Sequence, residues 1–191
     1  KKEVIKWSDD FDFYANARLN LHYYTKKEYY PYIHASKTGK EVDSQLPKNF
    51  YSYRKTINFN DARLTYFSPF VRYLTAMLNN MAAKAGRQIN GEETSVEDNI
   101  TKLTIADSMF TDEQIKNEVL NNIAFAYLLE DSNIIDNQRF LDHYMKLSTD
   151  DSETNSIKKI AKAVQVLKQG KKLPSLTLVN THNKAFDINN D

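Results

Sequence analysis

The chain has 191 residues, of which 41% are hydrophobic and 27% are charged, a composition typical of a globular protein with its own core. The formal net charge of +1 provides no overall field that would recruit nucleic acid or an anionic membrane surface, so we expect no nucleic-acid partner. Because the sequence has no cysteine, a disulfide, a thiolate metal site and a cysteine nucleophile are excluded within these residues.

Only four glycines and four prolines occur, which favours long helices over a β-sandwich. No run approaches the roughly 18 apolar residues that a transmembrane helix needs, so we expect no transmembrane segment. The first residues, Lys1 to Val4, lack the apolar stretch of a signal peptide. We therefore expect any targeting segment to have been removed.

Apolar residues recur at helical spacing in about seven segments, most of them bounded by capping residues, prolines or glycines. In chain order, the predicted helices cover residues 8–30, 46–57, 62–85, 95–109, 111–128, 136–147 and 151–169. The spacings between them do not repeat at a fixed period, so no solenoid is predicted. The expected fold is all-α: an irregular antiparallel helical array or bundle of about seven helices.

Specific residues predict several of the helix boundaries. Pro31 should interrupt the first helix, Ser68-Pro69 should kink or divide the third, and Gly86 should end it. Residues 111–114 have the Thr-x-x-Gln pattern of a capping box, which predicts a helix start at Thr111. Gly170 is the expected end of the last helix.

The last twenty residues have a different pattern from the rest of the chain. Residues 173–179 and 185–188 alternate like two short strands, and the Asn-Thr-His-Asn segment at 180–183 is typical of a turn. The sequence thus predicts a short C-terminal β-hairpin. Because a lone hairpin is not stable in water, it should either pack on the helices or belong to a larger sheet.

The hairpin segment carries a resemblance to a known family. It reads Gly170-x-x-x-Pro174-x-Leu-x-Leu178, followed by Asn183-Lys184-x-Phe-x-Ile. This resembles the entry into a TlpA-type thioredoxin-like domain, in which the turn usually has Gly-Lys. Asn183 departs from that pattern, although asparagine also tolerates the left-handed backbone conformation. The region upstream, including residues 46–57, resembles the helical segment that precedes this domain in envelope thiol–disulfide oxidoreductases.

The resemblance implies a division into a helical domain at residues 1–170 and a linker with the start of a truncated thioredoxin-like domain at residues 171–191. It implies a protein of the periplasm or outer cell envelope of a Gram-negative bacterium, lipid-anchored in its full-length form. The Cys-x-x-Cys of the family would lie beyond Asp191, so no catalytic residue can be carried over to this chain. The chain would then be a non-catalytic accessory region that positions or dimerises its own C-terminal redox domain, and a homodimer is a further expectation.

The most distinctive cluster in the sequence is aromatic. Tyrosines interleaved with two lysines are typical of stacking platforms for bases or sugars. The candidate binding residues are Tyr23, Tyr24, Tyr29, Tyr30 and Tyr32. Neighbouring tyrosines point around a helix rather than along one face, so packing, including packing against a partner domain, is the competing interpretation. The alternative function is a stand-alone helical envelope protein that contacts glycan or peptide through this tyrosine-rich surface.

No residue pattern predicts a metal, a cofactor or a catalytic centre. The four histidines are scattered, and none occurs in a His-Glu-x-x-His frame. The acidic clusters at residues 9–12, 92–93 and 150–153 fall where helices should start, so we expect them to cap helices rather than to act as general acids and bases.

Overall fold

Six α-helices and one two-stranded hairpin make up the part of the chain that the computed structural model describes, which is residues 7–89, 95–130, 137–166, 175 and 177–187. The helices are α1 (Asp9–Thr38), α2 (Ser68–Ile89), α3 (Ser95–Met109), α4 (Glu113–Glu130), α5 (Asn137–Leu147) and α6 (Asp151–Val166). The strands are β1 (Thr177–Val179) and β2 (Ala185–Asp187). The all-α fold is confirmed, with six α-helices in the described residues where about seven were expected.

The prediction of an α-helix at residues 46–57 is wrong. This segment forms turns and a short 3₁₀ helix, Ser52–Thr56, between further 3₁₀ turns at Asp43–Gln45 and Ala62–Leu64. An isolated α-helix of this length is marginal in water, so tertiary contacts decide its conformation. Here Tyr53 is buried against α1, and this contact holds the backbone in tight turns.

The prediction that Pro31 interrupts the first helix is wrong. The helix α1 begins at the cap Ser8, whose Oγ accepts a hydrogen bond from the Phe11 N–H at 3.2 Å, and it continues through Pro31 to Thr38. Proline removes one backbone hydrogen bond, which a helix of 30 residues with a packed face can tolerate. It ends at Gly39, whose φ of 67° is the left-handed conformation that glycine adopts without strain.

Other predicted boundaries have mixed outcomes. Pro69 lies in the first turn of α2 and separates it from the 3₁₀ turn Ala62–Leu64, as predicted. The helix α2 passes Gly86 and continues to Ile89, so the predicted end is wrong. The predicted last turn at 167–169, the stop at Gly170 and residue 136 lie outside the described residues.

The start of α4 differs from the predicted capping box by one residue. The carboxylate of Asp112, not the hydroxyl of Thr111, caps the helix by accepting a hydrogen bond from the Ile115 N–H at 3.0 Å. The backbone N–H groups of Thr111 and Asp112 are instead bound by Asn60 Oδ1, at 2.8 and 3.0 Å. A contact that is distant in the sequence therefore shifts the cap.

The helices α3 to α6 follow one another in antiparallel steps, so helices two apart run in the same direction. Between α3 and α5, Glu97 forms an ion pair with Arg139, and Thr104 forms a 3.0 Å hydrogen bond with His143. Similar polar contacts join α4 to α6. The sequence prediction of an antiparallel array thus describes this part of the molecule well.

The pair α1 and α2 runs in the same direction instead. The ring of Tyr14 lies 5.2 Å from that of Phe67, and 14 residues further along α1 the backbone oxygen of Glu28 accepts a hydrogen bond from Asn80 Nδ2 at 3.0 Å. Later residues of α1 contact later residues of α2, so the two helices are parallel. The connection at residues 40–67 must therefore run back from the end of α1 to the level of its start.

Most residues of the core belong to the five helices from α2 to α6. Its largest fully buried side chains are Tyr73, Tyr144, Phe70, Phe140, Met77, Leu78, Leu103, Ile115, Leu120, Leu128 and Ile157. The helix α4 buries residues on two sides, Ile115 and Val119 on one and Leu120 on the other, because it packs between α3, α5 and α6. From α1, Leu21 belongs to this core, and Glu28 and Pro31 are also buried.

The predicted C-terminal hairpin is present. Strands β1 and β2 pair antiparallel, with Leu178 opposite Phe186. In the turn, Asn183 adopts a φ of 59°, the left-handed conformation expected of the residue that stands where glycine is usual. The side chains of β1 are exposed, and Val179 keeps 62% of its surface in solvent. Gly170, Pro174 and the other outer positions of the motif lie outside the described residues.

Candidate binding surfaces around the first helix

The helix α1 has an inner face toward α2 and an outer face that is exposed. The inner face carries Leu21, Tyr24 and Glu28, which recur at intervals of three and four residues and so lie on one side of a helix. Large apolar side chains are also exposed on α1, among them Leu19 at 71% exposure and Ile33 at 45%. A helix with apolar residues on both sides can pack inward and still present a contact surface.

A buried carboxylate organises the inner face. Glu28 is only 2% exposed, and its carboxylate accepts hydrogen bonds from Tyr53 Oη at 2.7 Å, Arg54 Nε at 2.9 Å, Arg54 Nη2 at 2.6 Å and Asn80 Nδ2 at 3.0 Å. The bidentate contact with a guanidinium, together with two further donors, is the arrangement that allows a charge to be buried. The network joins α1, the 3₁₀ helix Ser52–Thr56 and α2.

Two donors of this network, Tyr53 and Arg54, keep their protons at physiological pH. Burial, followed by the hydrogen bond to Glu28, raises the pKa of Tyr53 far above its usual range. Burial alone would lower the pKa of Arg54, but its hydrogen bonds and charge interaction with Glu28 raise it. Tyr53 therefore remains a neutral donor and Arg54 remains a cation at physiological pH. Groups that do not exchange protons suit a structural role better than acid–base catalysis.

Cations and aromatic rings extend this network toward the surface. The ammonium of Lys27 lies 4.6 Å from the ring centre of Phe50 and 4.5 Å from that of Tyr53. Lys84 Nζ lies 4.1 Å from the ring centre of Tyr51 and donates a hydrogen bond to its Oη at 3.0 Å. These cation–π contacts stabilise the turns at residues 47–56. Sequence analysis assigned those rings to a helix and so missed their pairing with the lysines.

The structure distributes the five candidate tyrosines over different surroundings. Tyr24 is partly buried and stacks on a tyrosine of the Ser52–Thr56 turn. Tyr23 and Tyr30 lie at the edge of that aromatic layer and are exposed. Tyr29 lines a groove between α1 and α2, and Tyr32 is 76% exposed, with no ring contact to the described residues. The five side chains therefore do not form one continuous platform.

The groove beside Tyr29 has a volume of about 710 Å³ and is lined by basic and neutral side chains. Arg18 and His22 enter it from α1, and Arg72 enters it from the first turns of α2. Neither arginine forms an ion pair with any described residue. We refer to it as the α1–α2 groove. Sequence analysis missed it because its two arginines are far apart in the sequence, and only a correct pairing of the two helices would have brought them together.

A second cavity, of about 310 Å³, lies between α2, α3 and α4. Leu74, Val119 and other buried apolar residues line it, and Asn79 and Asn122 stand among its polar residues. Glu118 also lines it, and burial, with a smaller effect of Glu153, raises the pKa of its carboxyl group. An apolar cavity with a few polar groups is the usual form of a small-ligand site.

The described residues contain no group of three or more histidine, aspartate or glutamate side chains placed to hold a metal ion. Within the same residues, no helix combines the length and apolar character needed to cross a membrane. Comparison of the chain with models of protein families, with curated proteins and with solved structures finds no match.

Proposed function

We propose that this chain is the non-catalytic, helical accessory region of a TlpA-type thioredoxin-like thiol–disulfide oxidoreductase. In this proposal the protein lies in the periplasm or outer cell envelope, is lipid-anchored in its full-length form, and uses the helices to position or dimerise its redox domain. The hairpin carries the proposal: β1 and β2 pair where the family motif expects them, and Asn183 has the left-handed conformation of the glycine it replaces.

The exposure of the hairpin supports the same proposal. Leu178 and Val179 are 36% and 62% exposed, although alternating apolar residues in a strand normally pack against a sheet or helix. A pair of three-residue strands is too small to be stable without such support. Further strands of a thioredoxin-like domain would provide the missing neighbours.

The test uses the coding sequence beyond Asp191. We expect it to encode a Cys-x-x-Cys shortly downstream, and we expect the full-length protein to reduce insulin in the presence of dithiothreitol. The matched control is the full-length protein with both cysteines replaced by serine, which should be as inactive as the present chain. A downstream sequence without a cysteine pair, or turnover of insulin by the present chain, would contradict the proposal.

The two roles proposed for the helices, positioning the redox domain and dimerising it, can be distinguished by experiment. Light scattering of the full-length protein and of the present chain measures whether the helices associate. A dimer in both proteins supports dimerisation through the helices, and monomers in both leave positioning as the role.

The second candidate is a stand-alone helical envelope protein that contacts glycan or peptide. The observation that favours it is the exposure of Tyr23 and Tyr32, at 60% and 76%, on a helix with further exposed apolar residues. Replacing both tyrosines by serine should abolish glycan or peptide binding if this function is correct, and should leave redox activity of the full-length protein unchanged if the first proposal is correct.

A further inference from the structure

The α1–α2 groove has an uncompensated positive charge. Arg18 and Arg72 lie on different helices, both are exposed, and neither has a salt bridge or a hydrogen bond to a described side chain. Among the described residues, none that lines the groove is acidic. Two guanidinium groups in one concave surface create a local positive potential, even though the chain as a whole is nearly neutral.

The two arginines are brought together by the parallel packing of the helices. The contacts between Tyr24 and Tyr73, with ring centres 6.3 Å apart, place the first turns of α2 beside the middle of α1. Arg72 precedes Tyr73, and Arg18 lies less than two turns before Tyr24, so both side chains reach the same groove. Guanidinium groups bind carboxylates in a bidentate manner, and this makes a carboxylate the complementary group.

The remaining walls favour a peptide over a glycan. The hydroxyls of Thr25 and Thr75 both line the groove, but they donate to the backbone oxygens of Leu21 at 2.7 Å and Val71 at 3.0 Å. Few neutral donors are therefore left for the many hydroxyls of a sugar. Leu19, at 71% exposure, offers an apolar contact next to the arginine instead.

The length of the groove fits several residues. The positions from Arg18 to Tyr29 span about 16 Å along α1, at roughly 1.5 Å per helical residue. An extended peptide advances about 3.3 Å per residue, so about five residues would fill this length. We propose that the α1–α2 groove docks an acidic, partly apolar peptide segment of a partner polypeptide. Carboxylates would pair with the arginines, and an apolar side chain would contact Leu19.

The test is fluorescence anisotropy of the present chain with a labelled peptide that alternates glutamate and leucine, at low salt. Arg18→Gln with Arg72→Gln should weaken binding at least about tenfold, since both charge pairs are lost. Both residues are exposed, so the fold should be kept, and circular dichroism verifies this. The matched control is Lys158→Gln with Lys159→Gln, which removes the same charge from exposed positions of α6 and should change binding less than about twofold.

The apolar contact has its own test. Leu19→Ser should weaken binding of the glutamate–leucine peptide but leave binding of a peptide that alternates glutamate and serine unchanged. Failure of the acidic peptide to bind the unaltered chain would overturn the proposal, as would equal losses in the arginine and lysine variants. Binding of a sulfated polysaccharide in place of the peptide would also overturn it, in favour of a glycan site.

Discussion

Glu28 is buried together with its charge, and the hydrogen bonds that its carboxylate accepts join three separate segments of the chain. Its cationic partner in the described part of the chain is Arg54, whose side chain keeps 20% of its surface exposed. A pair of this kind contributes little net stability compared with an apolar pair, but it is costly to break, because the remaining charge loses its partner.

We expect Glu28→Ala to lower the free energy of unfolding by about 3–5 kcal/mol, because Arg54 and Tyr53 would remain in a partly buried site without their acceptor. For a chain of this size, thermal unfolding should move down by roughly 10 °C. Asp142→Ala is the control: it removes an exposed carboxylate with one local hydrogen bond, from Gln138, and should have little effect. Equal losses in the two variants would show that the network is not important for stability.

Glu118 and Glu113 should have opposite effects on the pH dependence of stability. Burial raises the pKa of Glu118 above 4.5, so the folded state loses stability when this group ionises. Hydrogen bonds from Lys116 and Thr149 lower the pKa of Glu113, so the folded state gains stability when that group ionises.

Thermal unfolding of Glu118→Gln and Glu113→Gln at pH 7 and at pH 4 checks this. At pH 7, Glu118→Gln should unfold at a higher temperature than the unaltered chain, and Glu113→Gln should unfold at a lower one. The Glu118→Gln difference should shrink as the pH falls through the raised pKa of Glu118 toward 4.5, the ordinary value for glutamate. The Glu113→Gln difference should persist to lower pH, because it is lost only as the pH falls from 4.5 through the lowered pKa of Glu113. Shifts of the same sign in the two variants would contradict this assignment.

At the scale of single residues, sequence patterns predict what depends on neighbours along the chain. The cap at Ser8 and the left-handed Asn183 follow from local backbone chemistry, and both are present. Glu28 could not be identified in this way, since its partners lie 25 to 52 residues further along. The division of the candidate tyrosines has the same cause: only the position of α2 decides which of them are covered.

At the scale of elements, helix positions are well predicted, and their ends less so. Five of the six helices begin within two residues of the predicted position, because a capping side chain or an apolar period marks each start. The helix ends predicted at Pro31 and Gly86 are wrong, because the packing of a long helix outweighs one lost hydrogen bond or one flexible residue. Residues 46–57 failed because contacts with α1 determine their turns.

The start of α4 allows a sharp test at this scale. Asp112→Ala should lower the free energy of unfolding by about 1 kcal/mol, because Asp112 accepts a hydrogen bond from the Ile115 N–H. Thr111→Ala should change it by less than about 0.5 kcal/mol, since the exposed hydroxyl is not the cap. Urea unfolding of both variants measures the difference. The reverse order would mean that the Thr-x-x-Gln capping box forms in solution.

At the scale of the whole molecule, the helices and the C-terminal hairpin should differ in stability. Amide hydrogens of β1 and β2 should exchange faster than those of α4, because the hairpin has exposed side chains while α4 is buried on two sides. Deleting residues 173–191 should move the thermal midpoint by less than about 2 °C, since the buried core lies upstream. Equally slow exchange in the hairpin and α4 would instead make the hairpin part of the helical domain.

The parallel packing of α1 and α2 has a consequence for synthesis of the chain. Helices joined by short antiparallel connections can pair as soon as both have left the ribosome, but Glu28 meets Asn80 52 residues later. At translation rates of roughly 5–20 residues per second, α1 waits for about 3–10 s before its partner helix is complete. During that interval the side of α1 that packs on α2, which carries Leu21 and Tyr24, lacks that helix to cover it. Until α2 is complete, α1 is therefore an element of the nascent chain that a chaperone would have to cover.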